Sequence, residues 1–85
     1  MAWQDLRAID RLHALDDLVG NPAWAHFTWT AERAYAELSI SGRTPDERED
    51  ARRFCLVVRD LRRRVEDERR AAREGLAVDA TKDDT

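Results

Sequence analysis

Cysteine is nearly absent: Cys55 is the only one in the chain. No internal disulfide is available to staple a domain of 85 residues. A chain that short buries little core, so it depends on regular helix packing or on a partner subunit. A lone cysteine inside an apolar run reads as a small hydrophobe. Glycines number three and prolines two, and none of the glycines forms a phosphate-cradling run. Long apolar stretches are missing as well. The longest, Phe54-Cys55-Leu56-Val57-Val58, is too short to span a bilayer. The first residues, Met1-Ala2-Trp3-Gln4-Asp5, show no basic segment leading into an apolar one, so no signal peptide is expected. The expected location is the cytoplasm, or a particle assembled there. Net charge is −3 with 39% charged residues, a mixed surface rather than a polybasic one.

Chemistry-bearing clusters are equally scarce. His13 and His26 fall on separate predicted helices with no recurring carboxylate spacing. Asp16-Asp17 and Glu66-Asp67-Glu68 have no loop of oxygen ligands around them. No Cys/His pattern suits zinc. The expectation is a non-enzyme with no catalytic, cofactor-binding or metal-binding residues and no cofactor.

What the chain has is helical periodicity. Trp24, Phe27, Ala31, Ala34 and Leu38 recur at alternating spacings of three and four, and so do Ala51, Phe54, Val58, Leu61 and Val65. Between them lies Ser41-Gly42-Arg43-Thr44-Pro45-Asp46-Glu47, a helix stop followed by a helix start. The pattern predicts an antiparallel hairpin whose core is these two stripes. A turn centred near residue 44 makes facing residue numbers sum to about 88. Ala34 then opposes Phe54, and Phe27 opposes Leu61. Small residues meet large ones, as interdigitating layers require.

Capping signals set the bounds. Asn21 and Pro22 open a helix running to about residue 40. Thr44, Pro45 and Glu47 form a capping box for a helix that reaches residue 74, with Gly75 as its stop. A leading helix covers residues 3–19, with Gly20 as its C-cap. The fold class is therefore all-α: a three-helix unit built on a long, coiled-coil-like hairpin. Residues 1–75 form the domain and residues 76–85 a flexible acidic tail. The leading helix is irregular, because Trp3, Leu6, Ile9, Leu12, Leu15 and Leu18 recur every three residues and spiral round it. Either that helix contacts two bodies, or a kink or crossing angle lets it wrap the hairpin. A later subset, Ala8, Leu12, Leu15 and Val19, leans to one side.

Apolar residues outside the stripes need a cover. Trp3, Trp29, Tyr35, Ile40 and Leu56 are the candidate protein-interface residues, with tryptophan enriched at interface hot spots. The other reading is that the leading helix buries them. The third helix also carries many arginines, which would suit phosphate. Glu49 with Arg53, Asp60 with Arg64 and Glu66 with Arg70 stand at ordinary ion-pair spacing, and the helix start is acidic. The charge pattern argues against nucleic acid as a partner, and the short apolar runs argue against a membrane.

The opening Asn21-Pro22-Ala23-Trp24, with Phe27 three residues later, followed by a turn and a charged helix, resembles small helical-hairpin virion or assembly-accessory proteins of tailed phages. The resemblance spans residues 15–74. The Arg-Gly found in the second arm of such proteins is missing here, since Gly42-Arg43 sits in the turn. The resemblance implies a phage structural or assembly component and assigns no site residues. The expected function is a non-catalytic structural or adaptor role through self-association or other particle subunits. The alternatives are a phage inhibitor of a host defence complex and an Arg-rich helix that binds nucleic acid.

Overall fold

The computed structural model describes residues 2–83, with side-chain surroundings through residue 78. A one-turn 3-10 helix, Trp3–Asp5, precedes three α-helices: α1 Ala8–Gly20, α2 Pro22–Ser41 and α3 Pro45–Asp83. The fold is all-α, as the periodicity predicted, and no strand occurs among the described residues.

Local chemistry explains the boundaries. The Asn21 side chain accepts a hydrogen bond from the Ala23 N–H at 2.8 Å and starts α2. Thr44 Oγ1 accepts from the Glu47 N–H at 3.0 Å and starts α3. The return bond of the capping box falls one residue early, from the Arg43 N–H to the Glu47 carboxylate at 3.1 Å. Thr44→Ala should therefore cost about 1 kcal/mol in a denaturant melt. The turn is tight at Gly42, where an added Cβ would lie 2.8 Å from Arg48 Cγ and 2.9 Å from the Leu38 carbonyl.

The leading segment is not one helix over 3–19. Leu6 and Arg7 are extended, which separates the Trp3 turn from α1. The every-third-residue spiral is thereby resolved into two pieces. Within α1, Ala8 and Leu15 are buried, and Leu12 and Val19 are half-buried. Gly20 belongs to α1, and Asn21 closes that helix while opening the next.

The expected stop at Gly75 and flexible tail over 76–85 are corrected too, for α3 runs through Gly75 to Asp83. Residues 84 and 85 lie outside the described residues. Gly75 is there for close approach. A Cβ at that position would stand 3.2 Å from the Ala8 side chain, where α1 meets α3.

The three helices do not form a compact bundle. Ala8 meets Gly75, Asp16 pairs with Arg69, and Cys55 Sγ lies 3.7 Å from the Glu32 carbonyl. Both α1 and α2 thus run antiparallel to α3, one after the other. The result is a two-stranded rod of 63 × 22 × 22 Å in which α3 is continuous and the opposing strand is cut at Asn21. Its radius of gyration is 17.7 Å, against about 12 Å for a compact chain of this length.

Facing partners follow the predicted axial register: Tyr35 meets Phe54 and Glu32 meets Cys55. The rotational phase differs. On α3 the inward positions are Ala51, Cys55, Val58, Arg62, Val65, Arg69 and Ala72. On α2 they are Ala25, Thr28, Glu32, Tyr35 and Ser39, continued by Gly42 at its C-cap. Both sets alternate by three and four, as a coiled-coil seam does. Of the expected hairpin core, Trp24, Ala31, Val58 and Val65 are half-buried, whereas Phe27, Ala34, Leu38, Phe54 and Leu61 are exposed. Small and polar side chains, with Val58, Val65 and Tyr35, make up the seam instead, and the small ones let the two backbones come close together. No large side chain is fully buried among the described residues.

Candidate protein-binding face

Two side-chain systems flank the seam, one polar and one apolar. The polar one centres on Glu32 of α2. Its carboxylate accepts from Arg59 Nε at 2.5 Å and also from Arg62, both on α3. The Arg62 guanidinium stacks over the Trp29 ring at 3.6 Å from its centroid, a cation–π contact. One nitrogen of Arg62 is buried without a hydrogen-bond partner. The hydrogen bond from Arg59 is the first cause that holds the Glu32 carboxyl below its ordinary range, with Arg62 adding to it against partial burial. Nearer the α3 C-terminus, Arg69 joins Asp16 at 2.9 Å and Glu66 at 2.9 Å, tying α1 to α3. These ion pairs bridge helices and clasp α1 and α2 to α3. His13 and His26 are exposed on different helices, the latter edge-on to Phe27. No group of acidic, histidine or cysteine residues suited to a metal occurs among the described residues.

The expected ion pairs along α3 form in two cases of three. Arg53 lies 3.8 Å from Glu49, and Arg64 lies 2.7 Å from Asp60. Glu66 pairs with Arg69 instead of Arg70, because Arg69 points into the seam and reaches Asp16 as well. Much of the arginine charge on α3 is thus answered locally by carboxylates.

The apolar system lies on one long side of the rod. On α2 it comprises Phe27, Ala31, Ala34 and Leu38, and on α3 Phe54, Val57 and Leu61. Phe27 is 68% exposed, Phe54 53% and Leu61 46%. Antiparallel helices that rotate their stripes in the same sense bring both onto the same side of the seam. The Tyr35 and Phe54 rings stand 5.2 Å apart there. At the α1–α2 junction the side opens into a groove of about 370 Å³. Leu18, Ala23, Trp24, Phe27, Val58 and Leu61 line it, and almost no polar surface does.

The five expected interface residues do not gather into one patch. Trp3 sits on the 3-10 turn and is partly exposed. Trp29 and Ile40 are exposed on the side of α2 opposite Phe27, about 200° away for two residues of separation. Trp29 is engaged with Arg62. Leu56 is exposed on the corresponding flank of α3. Tyr35 is half-buried and belongs to the seam edge beside Phe54. Most of the exposed face, namely Phe27, Ala34, Leu38, Phe54 and Leu61, consists of residues expected inside the hairpin. The signal that separates them is Cys55 with Ala51 and Ala72, small residues in heptad spacing along α3.

No family model matches the sequence, and neither curated proteins nor solved structures give a match. No helix is long and apolar enough to cross a membrane among the described residues.

Proposed function

We propose that this chain is a non-catalytic structural or adaptor protein that works by docking the apolar side of its rod against protein. The carrying observation is the inverted distribution of bulk. The seam is mostly alanine, cysteine, threonine, valine and an ion pair, with Tyr35 at its edge, while Phe27, Phe54 and Leu61 face outward along one side. A monomeric surface rarely leaves so continuous an apolar stripe uncovered. Locally paired arginines on α3 favour protein over nucleic acid as the partner. The Asn21-Pro22-Trp24-Phe27 resemblance to tailed-phage hairpin proteins favours a virion or assembly-accessory setting.

The test is a double substitution, Phe27→Ser with Leu61→Ser, followed by circular dichroism and apolar-dye binding. The expected result is retained helicity with loss of dye binding and of any assembly the wild-type chain shows. Unfolding of the double variant would mean that the stripe is core after all, and would overturn the proposal.

A further inference from the structure

The geometry points to a second copy of this chain, lying antiparallel across the apolar side, as the occupant of that face. This rests on reading the side as a protein-docking surface and names its partner.

The first argument is area. A compact monomer of this mass exposes about 5,200 Å², whereas the chain exposes 6688 Å². The surplus, about 1,500 Å², is of the size each protomer of an obligate dimer buries, about 1,000 Å² or more. The ends of the rod contribute part of it, and the long apolar side contributes the part that gains from being covered.

The second argument is that the face is complementary to itself. Consider a twofold axis at the level where Val58 and Ala31 line the same groove. Across it on α2, Phe27 of one copy opposes Ala34 of the other, and Ala31 opposes its own equivalent. Across it on α3, Val57 opposes its own equivalent and Phe54 lies beside Leu61 of the other copy. Leu38 reaches the Ala23 end of the groove, where the α1–α2 junction leaves a hollow. On α2 a large residue meets a small one, and each copy presents both the projection and the hollow that receives it, as an isologous contact requires.

The third argument is charge. The α3 stripe reads Asp50, Phe54, Val57, Leu61, Arg64 in alternating steps of four and three. Asp50 and Arg64 flank Val57 at equal distances of about 10 Å along the helix. Antiparallel pairing sets Asp50 of each copy against Arg64 of the other, twice. Parallel stacking would lay α3 of one copy over α2 of the other and would form neither pair. Both side chains are well exposed, with Arg64 resting on Asp60 at 2.7 Å in the single chain.

The experiment uses the full chain in sedimentation equilibrium, with four variants. Ala31→Cys, made in a Cys55→Ala background, is oxidised and run without reductant. Asp50→Arg and Arg64→Asp are measured singly and together. The expected results are a discrete dimer, a covalent dimer through position 31, a two- to tenfold weaker association for each single charge reversal, and recovery in the double reversal. A dimer with neither the cross-link nor the recovery overturns the antiparallel arrangement but leaves the face a docking surface. A monomer that binds apolar dye on the face overturns self-pairing and leaves a different protein as the partner. A monomer that binds no dye overturns both this inference and the function it rests on.

Discussion

Leu15→Ala should destabilise the chain by about 2–5 kcal/mol, the usual range for emptying a buried leucine site. Leu15 is 6% exposed and is the one bulky side chain among the buried hydrophobics, the others being Ala8, Ala51, Cys55 and Ala72. Its loss should be felt unevenly. The strand opposite α3 is cut at Asn21, so α1 can release without pulling α2 from its own seam. Hydrogen exchange should show protection falling over residues 9–20 and over the part of α3 beyond residue 65, with residues 22–62 changing little. Uniform loss of protection would mean that the two halves of the rod melt as one unit, contrary to the cut-strand architecture. The Asp16–Arg69 pair is too exposed to hold α1 by itself.

Glu32→Leu, Arg62→Leu and the two together should give a non-additive series. Glu32→Leu strips both Arg59 and Arg62 of their carboxylate and leaves the Arg62 guanidinium half-buried against Trp29. That single change should lower the thermal midpoint most. Arg62→Leu leaves Glu32 with Arg59 and should cost less. The pair of leucines fills the same seam positions with apolar bulk and should match or exceed the wild-type midpoint, since packed hydrophobes often outdo a desolvated ion pair. A double variant less stable than either single would show that the ion pair contributes net stability.

The same carboxylate sets a pH dependence. Its folded-state pKa is depressed from the ordinary 4.5, first by Arg59. The stability it contributes is therefore fully present above about pH 4.5 and is lost as the pH falls through the depressed value. Denaturant midpoints measured down through that window should fall more steeply in wild type than in the double leucine variant. Parallel curves would remove Glu32 from the account of acid unfolding.

The axial half of this fold was readable from the residues, and the rotational half was not. Asn21-Pro22 and Thr44-Pro45-Glu47 mark two helix starts by hydrogen-bond chemistry that is local, so the structure reproduces them. The short turn then dictates which levels face each other, and Tyr35 with Phe54 follows. Which face turns inward is a different question. The rule that the bulkiest apolar stripe forms the seam put Phe27, Leu38, Phe54 and Leu61 inside, and it fails where backbones approach closely. Side chains as large as phenylalanine hold helices apart, while Ala51, Cys55, Thr28 and Ser39 permit contact. Glu32 and Arg62 join the seam because each supplies the other's missing hydrogen bonds. Gly75 misled for a similar reason. A glycine near a helix end looks like a stop in one dimension, and only the proximity of Ala8 shows that its missing side chain is a clearance. The interface residues chosen by type alone, Trp29 above all, were partly engaged already by neighbours such as Arg62 that a linear reading cannot place.

The close seam reverses the ordinary pattern of tolerance to substitution. In most small domains a surface phenylalanine is free to drift and an alanine is a modest loss. Here the bulky residues at 27, 54 and 61 stand largely outside the seam, whereas there is no room for growth at Ala51 and Ala72, which are 2% and 3% exposed. Adding even a few methylenes at those sites forces the helices apart along the rod. Variation within a lineage of such chains would then accumulate at the large outward residues only as fast as the covering surface changed with them. The seam alanines would stay fixed by geometry, independent of any partner.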